Sequence, residues 1–304
     1  MYTFERILIA LDLSDSDEFI YQQSVYLSQL FRVKKAYFVH ITRSLAVFDN
    51  VTAAYPDVQN DDLGSIKTSI DEKVRQHYGG LNASNYEVLV QEAEIVDSLG
   101  KLVKEHQIDL VVLGRKATPG LSAKSRQIIR EAACSIAFLP NLHSDGFRKV
   151  ITPLDFSDGS KRSLQTMLQC QKYDKDLQIF PVNVYEVPLG YSKTGKSFEE
   201  FAEIMKGHAQ EEWGFFKEEL DASQPLTCEF ILDKRDNHAK QLFDYALMKK
   251  GDLIVIGSKG RTRAASLLLG SVAVKLLDMN CYMPMIIVKN QQKNMGFLQA
   301  LFRL

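Results

Sequence analysis

Residues 251–275 read GDLIVIGSKGRTRAASLLLGSVAVK. Leu253 to Ile256 is a short apolar run between Gly251 and Gly257, which reads as a buried strand. Gly257 and Gly260 follow, among Lys259, Arg261 and Arg263. Gly270-Ser271-Val272 then opens a helical pattern that runs to Met279. The order is strand, basic glycine loop, helix N-terminus. Glycines let backbone N–H groups approach an anion with no Cβ in the way. The first turn of a helix adds unpaired N–H groups and partial positive charge. Together they describe a phosphate site, in which Ser271 either donates its hydroxyl or caps the helix. The spacing, Gly-x2-Gly-x9-Gly-Ser, matches neither the P-loop nor the G-x-G-x-x-G dinucleotide pattern, and both are absent from the chain.

Working outward, this stretch has a twin. IDLVVLGRK (108–116) matches GDLIVIGSK (251–259), with Asp109 and Asp252 143 residues apart. ERILIALDLSDS (5–16) matches RKVITPLDFSDG (148–159), with Asp12 and Asp155 again 143 apart. AYFVHIT (36–42) falls on QIFPVNVY (178–185), setting His40 over Asn183. The chain is a tandem duplication with its boundary near Asn141 to Gly146, and the constant offset predicts no net insertion. Within each half, apolar strands alternate with helical patterns. The first half predicts strands at 5–11, 36–41, 86–90, 109–113 and 135–139; the second predicts them at 149–154, 178–184, 226–232, 252–256 and 284–288. Such alternation predicts an α/β fold with a parallel sheet covered on both faces. Ligands in open sheets of this kind sit at the carboxyl ends of the strands, where the strand order switches. The Asp loop after each first strand and the glycine loop after each fourth strand meet there.

Both halves resemble universal stress protein domains, through the I-x-x-x-D-x-S start, the D-L-[IV]-V-[IL]-G strand and the apolar last strand. The glycine spacing at 257–271 is similar to that family's ATP-binding signature. The resemblance implies two tandem domains, each a Rossmann-like five-stranded parallel sheet flanked by helices. It implies that Pro153, Asp155 and the backbone around Val184 hold adenine and ribose. The phosphate loop falls on Gly257, Gly260, Arg261, Gly270, Ser271 and Val272. A tandem chain then resembles the family's usual dimer made from one polypeptide, with 135–139 and 284–288 as candidates for the contact. The expected ligand is ATP, ADP or AMP, with Mg2+ accompanying ATP because phosphate charge suits a hard cation.

The first half departs from this pattern. Gly114 survives, but Ala117 stands where Gly260 stands. Gly114 to Ser135 spans 21 residues and Gly257 to Pro284 spans 27, so six are missing. Matching the last strands backwards sets Leu121-Ser122 opposite Gly270-Ser271, and a leucine there blocks a phosphate. The expected organisation is a domain with a degenerate nucleotide site (1–143), a domain with an intact motif (146–290) and an amphipathic tail (291–304). In that tail Phe297, Leu298, Leu301 and Phe302 share one helical face, which docks on its own chain or on a second copy.

At 304 residues, 45% apolar and 25% charged, the chain is long enough for two globular domains. A net charge of −1 gives no sign of a nucleic-acid or membrane surface. MYTFERILIALDLS has neither a basic start nor a long apolar region, so no leader is expected. Four scattered cysteines read as reduced thiols in a cytoplasm. The six histidines form no HExxH and no cluster with cysteine, so no protein-built metal site is expected, and His40 reads as a packed or hydrogen-bonded residue. Trp213, Phe215 and Phe216 are expected to cover the sheet, and the 185–200 connection is either a lid on the ribose side or a plain surface loop. Three functional readings follow: a nucleotide-dependent binding module read by a protein partner, a slow ATP hydrolase or phosphotransferase, and a ligand-independent scaffold. The glycine loop holds serines, lysines and arginines but no carboxylate or histidine to act as a base, which favours binding and assigns no catalytic residue.

Overall fold

The computed structural model describes residues 3–42, 63–79, 85–116, 118–222, 225–234, 236–258, 270–280 and 282–290. The first half runs β1 (Arg6–Leu11), α1 (Asp17–Phe31), β2 (Lys35–Thr42), α2 (Leu63–Tyr78), β3 (Tyr86–Glu92), α3 (Ile95–Glu105), β4 (Leu110–Arg115), α4 (Ala123–Glu131) and β5 (Ser135–Pro140). The second runs β6 (Lys149–Leu154), α5 (Asp158–Tyr173), β7 (Gln178–Glu186), α6 (Phe198–Glu218), β8 (Glu229–Asp233), α7 (His238–Met248), β9 (Leu253–Gly257), α8 (Ser271–Met279) and β10 (Met285–Val288). Every strand read from the sequence is present to within three residues at each end.

The strands form one ten-stranded sheet in the order β3-β2-β1-β4-β5-β10-β9-β6-β7-β8. Each half is parallel throughout and doubly wound. The halves join edge to edge, where β10 pairs antiparallel with β5 in the register Met285↔Phe138, Ile286↔Ala137, Ile287↔Ile136. The two segments expected to touch therefore complete each other's open edge.

Strands covered on both faces must be apolar at consecutive positions, not alternate ones. Ile7, Leu8 and Ile9 are all fully buried, as are Leu253 and Val255. One face carries Leu8, Val111, Ile136, Ile254 and Ile287; the other carries Ile9, Val112, Ala137, Val255 and Ile286. Both layers run across the seam, so neither half has a core of its own that stops at β5 or β10.

The repeated aspartates have a shared structural task. Asp109 Oδ2 accepts the N–H groups of Glu5 and Arg6 (both 2.9 Å), and Asp252 Oδ2 accepts those of Arg148 (2.9 Å) and Lys149 (2.8 Å). Each carboxylate holds the start of its half's first strand, which satisfies donors that the sheet leaves open.

Two expectations are corrected. The equal spacing from Asp12 to Asp109 and from Asp155 to Asp252 hides compensating changes. Val39 pairs with Leu89 and Val182 with Glu229, so β3 and β8 are offset by 140, not 143. Most of the difference is recovered between β8 and α7, which four residues separate in sequence, against two between β3 and α3. Trp213 and Phe216 are buried as expected, but Phe215 is 69% exposed, because α6 turns that position away from the sheet. The tail 291–304 lies outside the described residues.

Candidate nucleotide site

The carboxyl ends of β6 and β9 flank the switch in strand order of the second half, and a cavity of about 540 Å3 opens there. That volume is in the range of small-molecule sites. Pro153 and Asp155 line it from β6 and the turn after it, and Val184 lines it from β7. Gly257 lines it from the end of β9, and Gly270, Ser271 and Val272 from the start of α8. Three segments distant in sequence thus converge on one hollow. Gly260 and Arg261 fall outside the described residues.

The turn after β6 is built to present Asp155. Phe156 takes a left-handed backbone (φ 62°), a conformation costly for a side chain of that size. Its ring is held edge-on to Phe216, 5.4 Å between centroids. Asp155 Oδ1 accepts from Ser157 N–H (3.1 Å) and Ser157 Oγ–H (2.6 Å), and Ser157 Oγ caps α5 by accepting from Ser160 N–H (3.3 Å). Asn183 Nδ2 donates to Leu154 O (2.8 Å), fixing β7 against the residue before the aspartate. His40 Nδ1 makes the matching contact with Leu11 O (3.0 Å) in the first half, and Leu13 repeats the left-handed turn (φ 61°). His40 is buried and hydrogen-bonded, as read from the sequence.

At the end expected to take phosphate, Gly270 N–H donates to Ser258 O (2.7 Å), so the end of β9 and the start of α8 meet. Gly270 is the N-cap of α8 and has no side chain to satisfy the helix amides. The first intrahelical bond is Val274 N–H to Gly270 O (3.1 Å), which leaves the amides of Ser271, Val272 and Ala273 ahead of the ladder. Lys275 lines the same cavity one turn on. An uncapped helix start beside an ammonium group favours an anion.

Two readings at this end need correcting. Ser271 does not cap the helix; it is the first helical residue, exposed on the cavity rim. The spacing reads Gly257 as a glycine that lets phosphate approach. A Cβ there would lie 2.4 Å from Gly159 C and 2.6 Å from Gly159 O, so the first turn of α5 already demands glycine. Its backbone lines the cavity, but packing explains its identity.

The first half holds a smaller cavity of about 400 Å3 at the equivalent place, with Asp12, Asp17, Gly114, Lys116 and Lys124 among its lining. Here Ser122 is the helix cap, and its Oγ accepts from Ser125 N–H (3.0 Å). Cap geometry puts Ser122, not Leu121, opposite Gly270, because the helices are offset by 148 residues and the last strands by 149. Leu121 instead packs against the core, half-buried. Asp17 stands where Ser160 stands, and burial pushes its carboxyl up to about 6 although Leu13 N–H donates to it (2.8 Å).

Sequence reasoning missed Glu186, Asp236 and His238, which also line the larger cavity. They lie at the end of β7 and around the start of α7, and no local motif joins them. The 185–200 connection contributes only Glu186 to the described lining, while Tyr191 packs on Phe198 and Phe201 of α6 at 5.7 and 6.3 Å. Cys134, Cys170 and Cys228 are free and buried, each thiol pushed up to about 12 by burial, so none is a nucleophile. No helix among the described residues is long and apolar enough to cross a membrane.

Sheet order and cavity define a Rossmann-like tandem α/β protein with a ligand hollow at a switch point. Residues 146–289 match the model of the Universal stress protein family. Universal stress protein MJ0531 of Methanocaldococcus jannaschii is 28% identical over 160 residues, 48% of this chain and 85% of its own length. Among solved structures, the functionally unknown protein PA1789 of Pseudomonas aeruginosa aligns over 99% of this chain and 98% of its own, at TM-score 0.67 and 12% identity. A universal stress protein of Archaeoglobus fulgidus aligns over 94% and 98%, at TM-score 0.63 and 12% identity. The universal stress protein match covers the second half of the chain, and the first half repeats the same fold in tandem.

Proposed function

We propose that the second half binds an adenine nucleotide, ATP or a close relative, and that the chain is a nucleotide-dependent binding module of a stress response, read by a protein partner. The observation that carries this reading is the convergence of Asp155, Val184 and the uncapped start of α8 on one cavity. Asp155 and the backbone around Val184 suit the adenosine; the amides of Ser271 and Val272 suit phosphate oxygens, with Mg2+ from solution balancing the remaining charge. The buried free thiols suit a reducing, cytoplasmic setting.

Binding is favoured over hydrolysis by where the acids lie. Glu186 and Asp236 enter the cavity from β7 and from the link after β8, on the far side of β6 from Gly270. A base for an attacking water belongs at the phosphate end. Turnover of ATP is therefore expected below about 1 per second, the low end of ordinary enzymes.

Calorimetry with Mg-ATP tests the reading. One nucleotide per chain is expected. Two would return a working site to the first half, and none would leave the scaffold reading standing.

A further inference from the structure

We propose that the rim of the second cavity is a binding site for a divalent transition-metal ion, held by Glu186, Asp236 and His238. Their ligand atoms all lie within 4.8 Å of one another. His238 Nε2 is 3.9 Å from Glu186 Oε2. One imidazole and two carboxylates suit a borderline ion such as Zn2+ better than Mg2+, which takes oxygen and keeps its waters. Metal–ligand distances of about 2.0–2.2 Å need the three groups to close by rotation alone. Glu186 and Asp236 are exposed and free to do so. Three protein ligands leave at least one coordination position open, and all three residues line the cavity.

A second, independent feature is what stands behind the histidine. Its Nδ1 lies 3.0 Å from Asp233 Oδ2, and the Asp233 side chain is 0% exposed. A carboxylate there favours the proton on Nδ1 and leaves the Nε2 lone pair on the side of Glu186. That is the support a ligating imidazole receives in metal sites, where a partner on the other nitrogen sets tautomer and orientation. A buried carboxylate is costly, and a histidine at the first position of a helix would not need one.

The first half is the internal control. Its link from β3 to α3 is two residues shorter, and Ala93 holds the position two before the helix that Asp236 holds in the second half. Ile95 occupies the first helical position that His238 occupies, and it lines the smaller cavity as an apolar wall. The longer link and the three polar residues occur together, in the half with the open helix start.

This proposal does not rest on the nucleotide reading, and its test contains no nucleotide. The full chain, stripped with a chelator, is titrated with Zn2+ alone at pH 7.5 against a chromophoric competitor. One ion per chain with micromolar or tighter affinity is expected. Glu186→Gln and His238→Gln should each weaken uptake at least tenfold, with the circular dichroism spectrum unchanged because both side chains are at the surface. Asp233→Asn should weaken it about tenfold or more, the usual effect of removing a ligand's supporting partner. In the same proteins loaded with Co2+, visible absorption should shift for Asp233→Asn and vanish for His238→Gln. No stoichiometric uptake overturns the proposal. So does uptake that survives Glu186→Gln and His238→Gln, since the ion would then sit on another histidine or cysteine.

Discussion

The last helices of the two halves, α4 and α8, are held alike at one end and differently at the other. At their C-terminal ends each takes a cation from across the seam. Arg115 donates to Leu277 O of α8, and Lys289 Nζ donates to Ile129 O (2.6 Å) and Ala132 O (2.7 Å) at the end of α4. Ile129 and Leu277 are equivalent positions, so the halves converge on one solution for the negative helix end. At their N-terminal ends Ser122 closes α4 on itself, while Gly270 leaves α8 open. A helix start can be satisfied by its own cap or by a ligand, and one residue decides which.

The largest expected effect comes from blocking the open end. Gly270 has φ −68° and ψ 147°, a conformation that valine adopts without strain, so Gly270→Val tests the site and not the fold. Loss of one or two charge-assisted hydrogen bonds should weaken ATP binding about tenfold to a thousandfold, while adenosine changes much less. Equal loss for both ligands, measured by calorimetry, would break the comparison at its phosphate end.

Next come the glycines that end β4 and β9. A Cβ on Gly257 meets the backbone of Gly159, whereas one on Gly114 meets only Ile20 Cδ1 at 3.2 Å. Gly257→Ala should therefore cost about 3 kcal/mol in a urea titration and Gly114→Ala under about 1 kcal/mol. Similar losses would mean that the two strand ends are packed alike.

Asp17 supplies a difference that depends on pH. Its folded carboxyl titrates near 6 against 3.8 for the free group, raised chiefly by burial. A raised carboxyl contributes stability below the unfolded value and loses it as pH rises through the folded value. Asp17→Asn cannot ionise, so it should gain on the order of 1–2 kcal/mol over the parent between pH 4 and pH 7.5, with no advantage at pH 4. Thermal melts across that range check it, and a flat difference would show that Asp17 is not titrating there.

The smallest effect is the reverse graft. Ser122→Gly should cost only a few tenths of a kcal/mol, since glycine is itself an acceptable cap. It should create no ATP binding in the first half, because eight residue steps run from Gly114 to Ser122 against thirteen from Gly257 to Gly270. Binding that appears would make the cap alone responsible.

Most of the architecture was legible because the signals were local or repeated. Runs such as Ile7–Ile9 and Leu253–Ile256 declare strands buried on both faces, and Asp109 and Asp252 mark the same sheet edge twice. The meeting of Pro153, Asp155 and Val184 at one cavity was legible too, since they lie at strand ends that topology brings together. Three things were not legible. The role of Gly257 depends on how closely α5 approaches, which no spacing records. The match of Ser122 to Gly270 depends on a one-residue difference between helix and strand offsets. The trio Glu186, Asp236 and His238 depends on β7 and the link after β8 arriving at one rim.

The antiparallel seam settles which way the molecule faces. All strands of the first half point one way and all strands of the second point the other, because β5 and β10 run opposite while each half is parallel within itself. Both cavities lie at carboxyl ends of strands, so their mouths open on opposite poles of the sheet. A flat partner surface can cover one mouth and leave the other bathed in solvent. A small molecule released from one must travel around the outside to reach the other. The chain is thus a two-ended object, with one cavity mouth at each pole.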